Sequence, residues 1–490
     1  MKNVPAFPAP IYRDTVLAHL FVDAKRLFLS SMIEIDYAHL VMLAEQKIVM
    51  PAVASACFRA LDALDRDDIL AAEFDGSVED LFFLVQRKLV ELCGVENAGR
   101  IHTARSRNDI DMTMYRMILR ERLLQTLDAV ICLRSRLVGL AFEHRATLMP
   151  AYTHNQPAQP TTFGHYLMAM VEILERDAER IRSAFARVNR CPLGVCAITT
   201  TGFSIDRSRT EHLLGFQGLQ TNSYGAIASV DYITESCSVL AVTMLNVGRF
   251  TQDLLLWSTA EFGYLRLSDG YVQISSIMPQ KRNPVSLEHV RILASRALSE
   301  SQAILSSLHN TPFADMNDSE DSLHPLVDLA FADGIRALKL LEGVLSETSF
   351  DTAKMQARAQ GSFLTVTELA DSLVRSTGVS FHQAHVIVSN AVKALAGEFN
   401  REKLIALVLQ SLREANVPPP AEEALRLSLD AENFVTVRSI PGGPAPEALD
   451  PEIARAAVQI EYDRGFLSRW RERFRDASQE LHTISHAMQN

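Results

Sequence analysis

The sequence predicts a mainly α-helical fold, in which a central bundle of long helices is flanked by smaller N- and C-terminal helical domains. Two observations lead to this prediction. Several segments of twenty to thirty residues contain neither glycine nor proline, and they carry apolar residues at helical spacing. An average helix has roughly 11–12 residues, so helices of this length are expected to pack side by side as rods.

The predicted elements follow along the chain. Residues 1 to about 105 predict short helices separated by turns, and residues 108–138 predict the first rod. A Pro-rich connection covers residues 150–160. Strand signal is confined to short pieces near residues 192–203. Three further rods are predicted at residues 165–190, 226–247 and 285–310.

The pattern changes at Gly361, after which the predicted helices are shorter. The later features are helices at 364–375 and 382–394, a Pro-rich linker at 418–420, a Gly-Gly-Pro turn at 442–444 and an amphipathic segment at 451–488. We therefore predict three domains: an N-terminal helical domain (1–111), the central bundle (112–360) and a C-terminal helical domain with an extension (361–490).

Composition narrows the class of protein. The chain has 490 residues, 48% hydrophobic and 22% charged, as in ordinary soluble globular proteins. A formal charge of −11 without a long Lys/Arg cluster argues against a nucleic-acid partner. Residues 1–14 do not have the form of a signal peptide, and no run of about 18 apolar residues predicts a membrane span. We expect a cytoplasmic protein.

The six cysteines show neither Cys-X-X-Cys nor Cys/His ligand spacing, which predicts free thiols and no metal site. Some rods carry small or apolar residues around much of their surface, as residues 238–245 do. This pattern favours packing against further subunits over a single isolated bundle.

Three polar stretches border the long helices: residues 103–109, 152–160 and 275–283. Within the third, Asn283 is predicted to cap a helix whose first residue is Pro284. The free N–H groups of such a helix start favour negative charge. Each stretch alone also fits an ordinary polar turn that caps a helix.

The residue types in these stretches indicate chemistry on a carboxylate. Ser106, Arg107 and Asn108 can form a carboxylate clamp, although a serine and an asparagine are also ordinary N-caps and an arginine is often a surface cation. Histidine commonly transfers protons in active sites, so His154 is a candidate for that role. The alternative is that His154 is an ordinary turn residue without a catalytic role. Together with a serine that can be activated, the set suits removal of a proton beside a carboxylate and protonation of a leaving group.

The stretch Ser275-Ser-Ile-Met-Pro-Gln-Lys-Arg-Asn-Pro284 resembles the signature loop of the fumarase/aspartase superfamily, whose members eliminate fumarate from substituted succinates. Further motifs resemble argininosuccinate lyases: residues 101–109, 152–154, 192–194, 205–207, 367–371 and 442–447. The resemblance runs from about residue 10 to 450. It implies a homotetramer whose active sites are shared among three subunits, with no cofactor and with an N-substituted aspartate and fumarate as small-molecule partners.

The resemblance also implies roles for individual residues. Ser275 is expected to be the general base, next to Ser276. The residues expected to hold the substrate carboxylates are Lys281, Asn283, Ser106, Arg107, Asn108 and Thr153. His154 is expected to assist protonation of the leaving nitrogen, and Glu288 to orient it. The catalytic set implied is therefore Ser275, His154, Lys281 and Glu288.

The sequence departs from the family pattern where the amine is bound. Positions that contact the arginine part of argininosuccinate align without gaps to Pro312, Asn317 and Glu320, and a family serine becomes Asp36. A family glycine before the first loop serine becomes Ile274, and a histidine and an asparagine become Phe82 and Val85.

The added acids predict a leaving amine smaller and more cationic than arginine. We therefore expect a carbon–nitrogen lyase with a diamine-type leaving group, as in the ethylenediamine-N,N′-disuccinate (EDDS) lyase branch of the family. The alternatives are argininosuccinate lyase and a catalytically silent structural homologue.

Overall fold

The computed structural model describes residues 7–489 and is mainly helical, as the sequence predicts. The first helices are α1 (Pro10–Tyr12), α2 (Ala18–Glu45), α3 (Pro51–Asp62), α4 (Arg66–Ala71), α5 (Leu81–Cys93) and α6 (Val95–Ile101). The long central helices and the short ones between them are α7 (Arg107–Glu143), α8 (Phe163–Val188), α9 (Arg207–Leu213), α10 (Ser223–Ala228), α11 (Asp231–Trp257), α12 (Val285–Leu308) and α13 (His324–Glu347). The last helices are α14 (Thr352–Gln360), α15 (Val366–Thr377), α16 (Phe381–Ala394), α17 (Arg401–Glu414), α18 (Glu422–Ser428), α19 (Ala431–Thr436) and α20 (Pro446–Ala487).

Within residues 7–489, the strands form three antiparallel pairs. These pairs are β1 (Leu148–Thr153) with β2 (Gln156–Thr162), β3 (Leu265–Arg266) with β6 (Ser349–Phe350), and β4 (Gln273–Ile274) with β5 (Arg282–Asn283). The prediction of strands near residues 192–203 is wrong: this segment forms turns. The strand pair lies instead in the Pro-rich connection, where Pro150 faces Pro160. A two-stranded ribbon tolerates proline because its outer edges need no ladder partner.

The core is built by α7, α8, α11, α12 and α13, which pack as long neighbouring rods. Helix α7 has 37 residues and spans about 55 Å at about 1.5 Å per residue. Buried apolar side chains such as Leu123, Leu127 and Leu137 recur along it at helical spacing. The four rods predicted from the sequence correspond to α7, α8, α11 and α12, and α13 adds a fifth.

The rods define two ends of the bundle. At one end, which we call the clamp end, α7 begins and α8 ends. The contact between them is made by the Asp109 carboxylate in the first turn of α7, which accepts hydrogen bonds from the backbone N–H groups of Gly194 and Cys196, shortly after α8. At the other, the hairpin end, the β1–β2 hairpin connects α7 to α8. The Tyr152 hydroxyl of this hairpin lies 3.3 Å from that of Tyr264, which follows α11.

The N-terminal region differs from the prediction of short helices only. A π-helical turn over Arg13–Leu17 joins α1 to α2, giving one continuous helix over Pro10–Glu45. This helix is long and apolar enough to cross a membrane, but 72% of its most apolar window is buried inside the fold. Phe28, for example, packs on Tyr115 of α7 with ring centroids 5.3 Å apart. It is therefore a core helix.

The C-terminal part contains two kinds of element. Helices α15 to α18 share a small apolar core of their own, which includes Leu369, Leu404 and Leu425. Helix α20 instead returns to the bundle, where its fully buried Asp463 carboxylate accepts a hydrogen bond of 2.5 Å from Arg134 of α7. The domain boundaries at 111 and 360 stay a prediction.

Two further expectations from the sequence concern residues 1–14 and the cysteines. The first six residues of the segment 1–14, in which we expect no signal peptide, lie outside the described residues. The six cysteines are free thiols in the described chain, as expected.

Candidate active site

The segment that leads into α7 presents the predicted carboxylate clamp. Ser106 precedes the helix, and its backbone N–H donates to the Asp109 carboxylate at 2.9 Å. The second carboxylate oxygen of Asp109 accepts from the N–H groups of Gly194 and Cys196 at 2.8 and 2.9 Å. Burial raises the pKa of Asp109 to about 6, although these donors oppose the shift. Asp109 therefore fixes the start of α7, where the half-buried Arg107 and Asn108 side chains line a cavity.

Arg107 is held from two sides. Its Nη1 donates to the Asp80 carboxylate at 2.5 Å and to Glu79 at 3.1 Å. Its guanidinium lies over the Phe83 ring, 5.2 Å from the centroid. Asp80 also caps α5, because its other oxygen accepts from the Phe83 N–H at 3.0 Å. The start of α5 thus sets the direction of the Arg107 side chain.

Arg107 and Asn108 line one cavity together with a group of carboxylates. This acidic cavity has a volume of about 490 Å³. Its charged lining residues are Arg107, Glu79, Asp80, Asp111, Asp315, Glu320 and Asp321. Asn108 donates to Asp315 through Nδ2, and the Tyr115 hydroxyl donates to Asp321 at 2.5 Å. One cation and two amide side chains, those of Asn108 and Asn317, therefore share this space with six carboxylates.

The carboxylates of the acidic cavity disfavour one another's ionised forms. Burial and the neighbouring Asp321 and Glu320 raise the pKa of Asp111 well above its ordinary value. Burial and Asp315 raise the pKa of Glu320 to about 7, and burial also raises the pKa values of Asp315 and Asp321. A cation bound among these groups would relieve this repulsion.

The Ser275 loop lies at the hairpin end, between β4 and β5. The Ser275 Oγ accepts hydrogen bonds from the backbone N–H groups of Ile277 at 3.3 Å and Met278 at 3.0 Å. The Lys281 N–H closes the turn by donating to the Met278 carbonyl at 3.0 Å. Ser276 and Lys281 are exposed. Two N–H donors directed at one hydroxyl oxygen favour its anionic form.

The predicted helix start in this loop is wrong by one residue. Helix α12 begins at Val285, and Pro284 is the residue that precedes it. Asn283 belongs to β5, and its side-chain amide donates to the Gln273 carbonyl at 2.9 Å. The strand pair makes the extended backbone of Asn283 part of a ladder, so the asparagine secures the loop rather than capping the helix. Glu288 lies in the first turn of α12.

His154 occupies the tip of the β1–β2 hairpin. His154 and Asn155 have φ values of 52° and 59°, and Thr153 pairs with Gln156 across the turn. Two central residues with positive φ define the tight hairpin turn that suits the twist of the strands. Thr153 and His154 are exposed, and the His154 ring makes no hydrogen bond within residues 7–489.

One chain does not bring the predicted carboxylate clamp close to the predicted catalytic residues. Residues 106–108 lie at the clamp end, whereas His154 and Ser275 lie at the hairpin end, which the length of α7 places about 55 Å away. At the clamp end, Arg107, Asn108, Asn317 and Glu320 do share one cavity. A site that contains all of these residues therefore requires more than one chain.

Asp36 has a different environment from the one expected. It is 4% exposed and lies in an ion pair with Arg105, at 2.6 Å between Oδ1 and Nη2. It does not line the acidic cavity. This placement argues against a direct contact between Asp36 and a bound amine.

The structure adds site residues that the sequence reasoning missed. Glu79 and Asp80 bind Arg107, and Asp111 and Asp321 complete the acidic cavity. Asp111 follows Arg107 by four residues, so helical spacing alone places both on one face of α7 and could have identified it. No local motif links Asp80 to Arg107, because the two residues lie 27 positions apart in the sequence. Among the described residues, no group of three or more His, Cys, Asp or Glu side chains is arranged to hold a metal ion.

Comparison with known proteins identifies the class of enzyme. Residues 32–299 match the lyase family, and residues 363–436 match the C-terminal region of argininosuccinate lyases. The chain therefore belongs to the lyase family and is a carbon–nitrogen lyase of the fumarase/aspartase superfamily.

Within that superfamily the chain is argininosuccinate lyase-like. It is 44% identical to argininosuccinate lyase 2 of Agrobacterium fabrum, over 91% of this chain and 90% of that protein. It is 37% identical to argininosuccinate lyase 1 of Shouchella clausii, over 88% and 87% of the two chains. A solved EDDS lyase in complex with formate superposes with a TM-score of 0.85 at 31% identity, covering 98% of this chain and 96% of that one.

Proposed function

We propose that this protein eliminates fumarate from an N-substituted aspartate whose leaving group is a diamine-type amine. The observation that carries the proposal is the acidic cavity, in which Arg107 and Asn108 face the carboxylates of Asp315 and Glu320. A substrate with carboxylates at one end and cationic nitrogen at the other matches this division of charge. An arginine leaving group brings a guanidinium, an α-ammonium and an α-carboxylate, whereas a diamine brings two compact cations and no carboxylate.

The proposed base is Ser275, which removes the Cβ proton of the aspartate part. A free serine hydroxyl is far too weak a base, so its alkoxide has to be stabilised. The N–H groups of Ile277 and Met278 already donate to this oxygen, and the Lys281 cation lies in the same loop. Lys281 and Asn283 would also hold the carboxylate whose charge grows as the proton leaves.

The remaining roles follow the order of bond breaking. Ser106, Arg107, Asn108, Thr153 and Ser276 would bind the carboxylates that become those of fumarate. As the C–N bond breaks, its electron pair leaves with nitrogen, which His154 would protonate directly or through water, with Glu288 orienting it. Asn317 and Glu320 would bind the amine. The reaction then needs no cofactor.

We propose a homotetramer with sites shared among three subunits, in the cytoplasm. The clamp residues and the proposed base lie at opposite ends of one chain, which supports a site shared between subunits. Two neighbouring subunits packed antiparallel would bring the clamp end of one next to the hairpin end of the other. Helices α11 and α12 also expose large apolar side chains to solvent in the single chain: Val242, Leu245, Leu256, Ile292 and Leu305.

A mixing experiment tests the shared site. Ser275→Ala and Arg107→Ala proteins should each be inactive. When the two are mixed, dissociated and reassembled, about a quarter of the sites should receive both intact residues if these come from different chains. Recovery of activity is expected. If both residues came from one chain, no site in the mixture would be intact and no activity would return.

A substrate comparison tests the leaving group. The protein is incubated with EDDS and with argininosuccinate, and fumarate is followed by its ultraviolet absorbance. We expect the higher kcat/KM with EDDS. Rapid turnover of argininosuccinate without turnover of EDDS would overturn the diamine proposal. It would favour argininosuccinate lyase, the second candidate, which the 44% identity to the Agrobacterium fabrum protein supports. Failure to release fumarate from any aspartate adduct would indicate a silent homologue.

A further inference from the structure

We propose that Asp36 is a positioning residue: through its ion pair with Arg105, it holds the segment that presents the carboxylate clamp. This inference rests on the proposed function, because it concerns how residues 106–108 are placed to bind the substrate carboxylates. It also gives Asp36 a role that differs from contact with the amine.

Residues 103–109, which we call the clamp segment, are held on the α2 side by Asp36 and His39. These two residues lie one helical turn apart on α2. Asp36 binds Arg105 at 2.6 Å, and the Nε2 of His39 lies 2.8 Å from the Thr103 carbonyl oxygen. Positions 36 and 39 are on the same face of α2. Burial lowers the pKa of His39 to about 3, so its ring is neutral and donates to the carbonyl across the neutral pH range.

The opposite side of the same segment is secured by Asp109, which binds the N–H groups of Gly194 and Cys196. Between the two attachments, Ala104 has a φ of 63°, a conformation that L-residues rarely adopt. Its carbonyl oxygen accepts from the Cys196 thiol at 3.2 Å. A backbone held in a sparsely populated conformation depends on the contacts around it. The Asp36–Arg105 pair is one of those contacts.

Arg105 depends on Asp36 more than an exposed arginine would. The side chains of Arg105 and Asp36 are only 3% and 6% exposed. Within residues 7–489, Asp36 is the only ion-pair partner of Arg105, and Arg105 Nε and Nη1 are buried without hydrogen-bond partners. Removal of the Asp36 charge leaves the buried guanidinium without its ion-pair partner, and movement of the segment that carries Arg105 would relieve this cost. Ser106 and Arg107 follow directly.

The test compares Asp36→Asn with Asp463→Asn. Asp463 serves as the control because it is also buried, pairs with Arg134 at 2.5 Å as well as with Arg182, and belongs to α20, remote from the clamp segment. Both variants should lose stability, so they are compared well below their unfolding temperatures. We expect Asp36→Asn to raise the fumarate dissociation constant at least about tenfold and to raise KM more than it lowers kcat, because the clamp is misplaced. Asp463→Asn should keep the wild-type dissociation constant.

Hydrogen exchange of the backbone amides of residues 103–109 provides a readout that does not depend on catalysis. Exchange should become faster in Asp36→Asn and stay unchanged in Asp463→Asn. If the wild-type protein bound no fumarate, the proposed function would fail while exchange still tested the positioning role. Equal exchange in Asp36→Asn and the wild type would overturn that role.

A double variant, Asp36→Leu with Arg105→Met, separates positioning from stability. Removal of both charges of a buried pair often restores stability. We expect the double variant to regain the unfolding temperature but to retain weak fumarate binding and fast exchange in residues 103–109. If fumarate affinity and slow exchange returned together with stability, the pair would serve stability alone and the proposal would be wrong.

Discussion

The Tyr115 hydroxyl donates a hydrogen bond of 2.5 Å to the Asp321 carboxylate and so ties the loop before α13 to helix α7. Asp321 is adjacent to Glu320, and Tyr115 lies eight residues after Arg107 on the same helix. This contact keeps the carboxylates of the loop close to the clamp. The acidic cavity is therefore a fixed feature of the fold, and its charge has measurable consequences.

The first prediction concerns pH and stability. Because burial and Asp315 raise the pKa of Glu320 from 4.5 to about 7, the folded protein binds more protons than the unfolded chain between these values. The free energy of unfolding should therefore fall as pH rises through this window. The fall should be smaller in Glu320→Gln, measured by denaturant unfolding at about pH 5 and about pH 8. The raised pKa values of Asp111, Asp315 and Asp321 add to the same trend in both proteins. An identical pH dependence in the variant would contradict the assignment.

The second prediction concerns binding of the amine. Glu320→Gln removes one carboxylate from the acidic cavity but leaves Arg107 in place. KM for EDDS should rise about tenfold, because a charged hydrogen bond to the amine is lost. The dissociation constant of fumarate, which carries no cation, should change little. A parallel weakening of both ligands would show that Glu320 acts on the whole site instead.

The third prediction concerns the base. Ser275→Ala should lower kcat by about 10²–10⁴-fold and leave KM nearly unchanged, because the base acts only in the chemical step. Steady-state kinetics over a range of substrate concentrations provides the measurement. Ser276→Ala, next to it in the loop, is the comparison and should act mainly on KM. A fully active Ser275→Ala protein would exclude the proposed mechanism.

The fourth prediction concerns the clamp. Arg107→Ala should raise both KM and the fumarate dissociation constant, because a bidentate guanidinium contact to a carboxylate is lost. Arg107→Lys should recover only part of the affinity, since an ammonium group does not reproduce the planar fork. Binding can be followed by calorimetry with fumarate. Unchanged fumarate affinity in Arg107→Ala would place the carboxylate elsewhere.

The fifth prediction concerns packing at the hairpin end. A Cβ at Gly164 would lie 2.6 Å from the Ala141 carbonyl oxygen and 2.7 Å from the Arg145 Cα, so α8 approaches α7 too closely for a side chain. Gly164→Ala should cost about 1–3 kcal/mol of unfolding free energy. Gly139→Ala is the control: its site in α7 is open, and alanine there should stabilise by about 0.5–1 kcal/mol. Thermal and denaturant unfolding compare the two, and equal stabilities would contradict the packing argument.

The sequence alone predicted the mainly helical class and the positions of the long rods, because uninterrupted apolar periodicity is a local property of the chain. It misplaced the β strands, since the pairing of Pro150 with Pro160 depends on which segments meet. It also misplaced the start of α12 by one residue, because the strand pair that holds Asn283 forms across the loop from Gln273.

For the site, the sequence marked residues 106–108, 154 and 275 through their types and local motifs. Only the tertiary structure decided which side chains meet: it placed Arg107, Asn108, Asn317 and Glu320 around one cavity and added Asp111 and Asp321. It also paired Asp36 with Arg105, 69 residues further along the chain. Charge pairing and burial depend on distances between remote segments, which the packing of the rods determines.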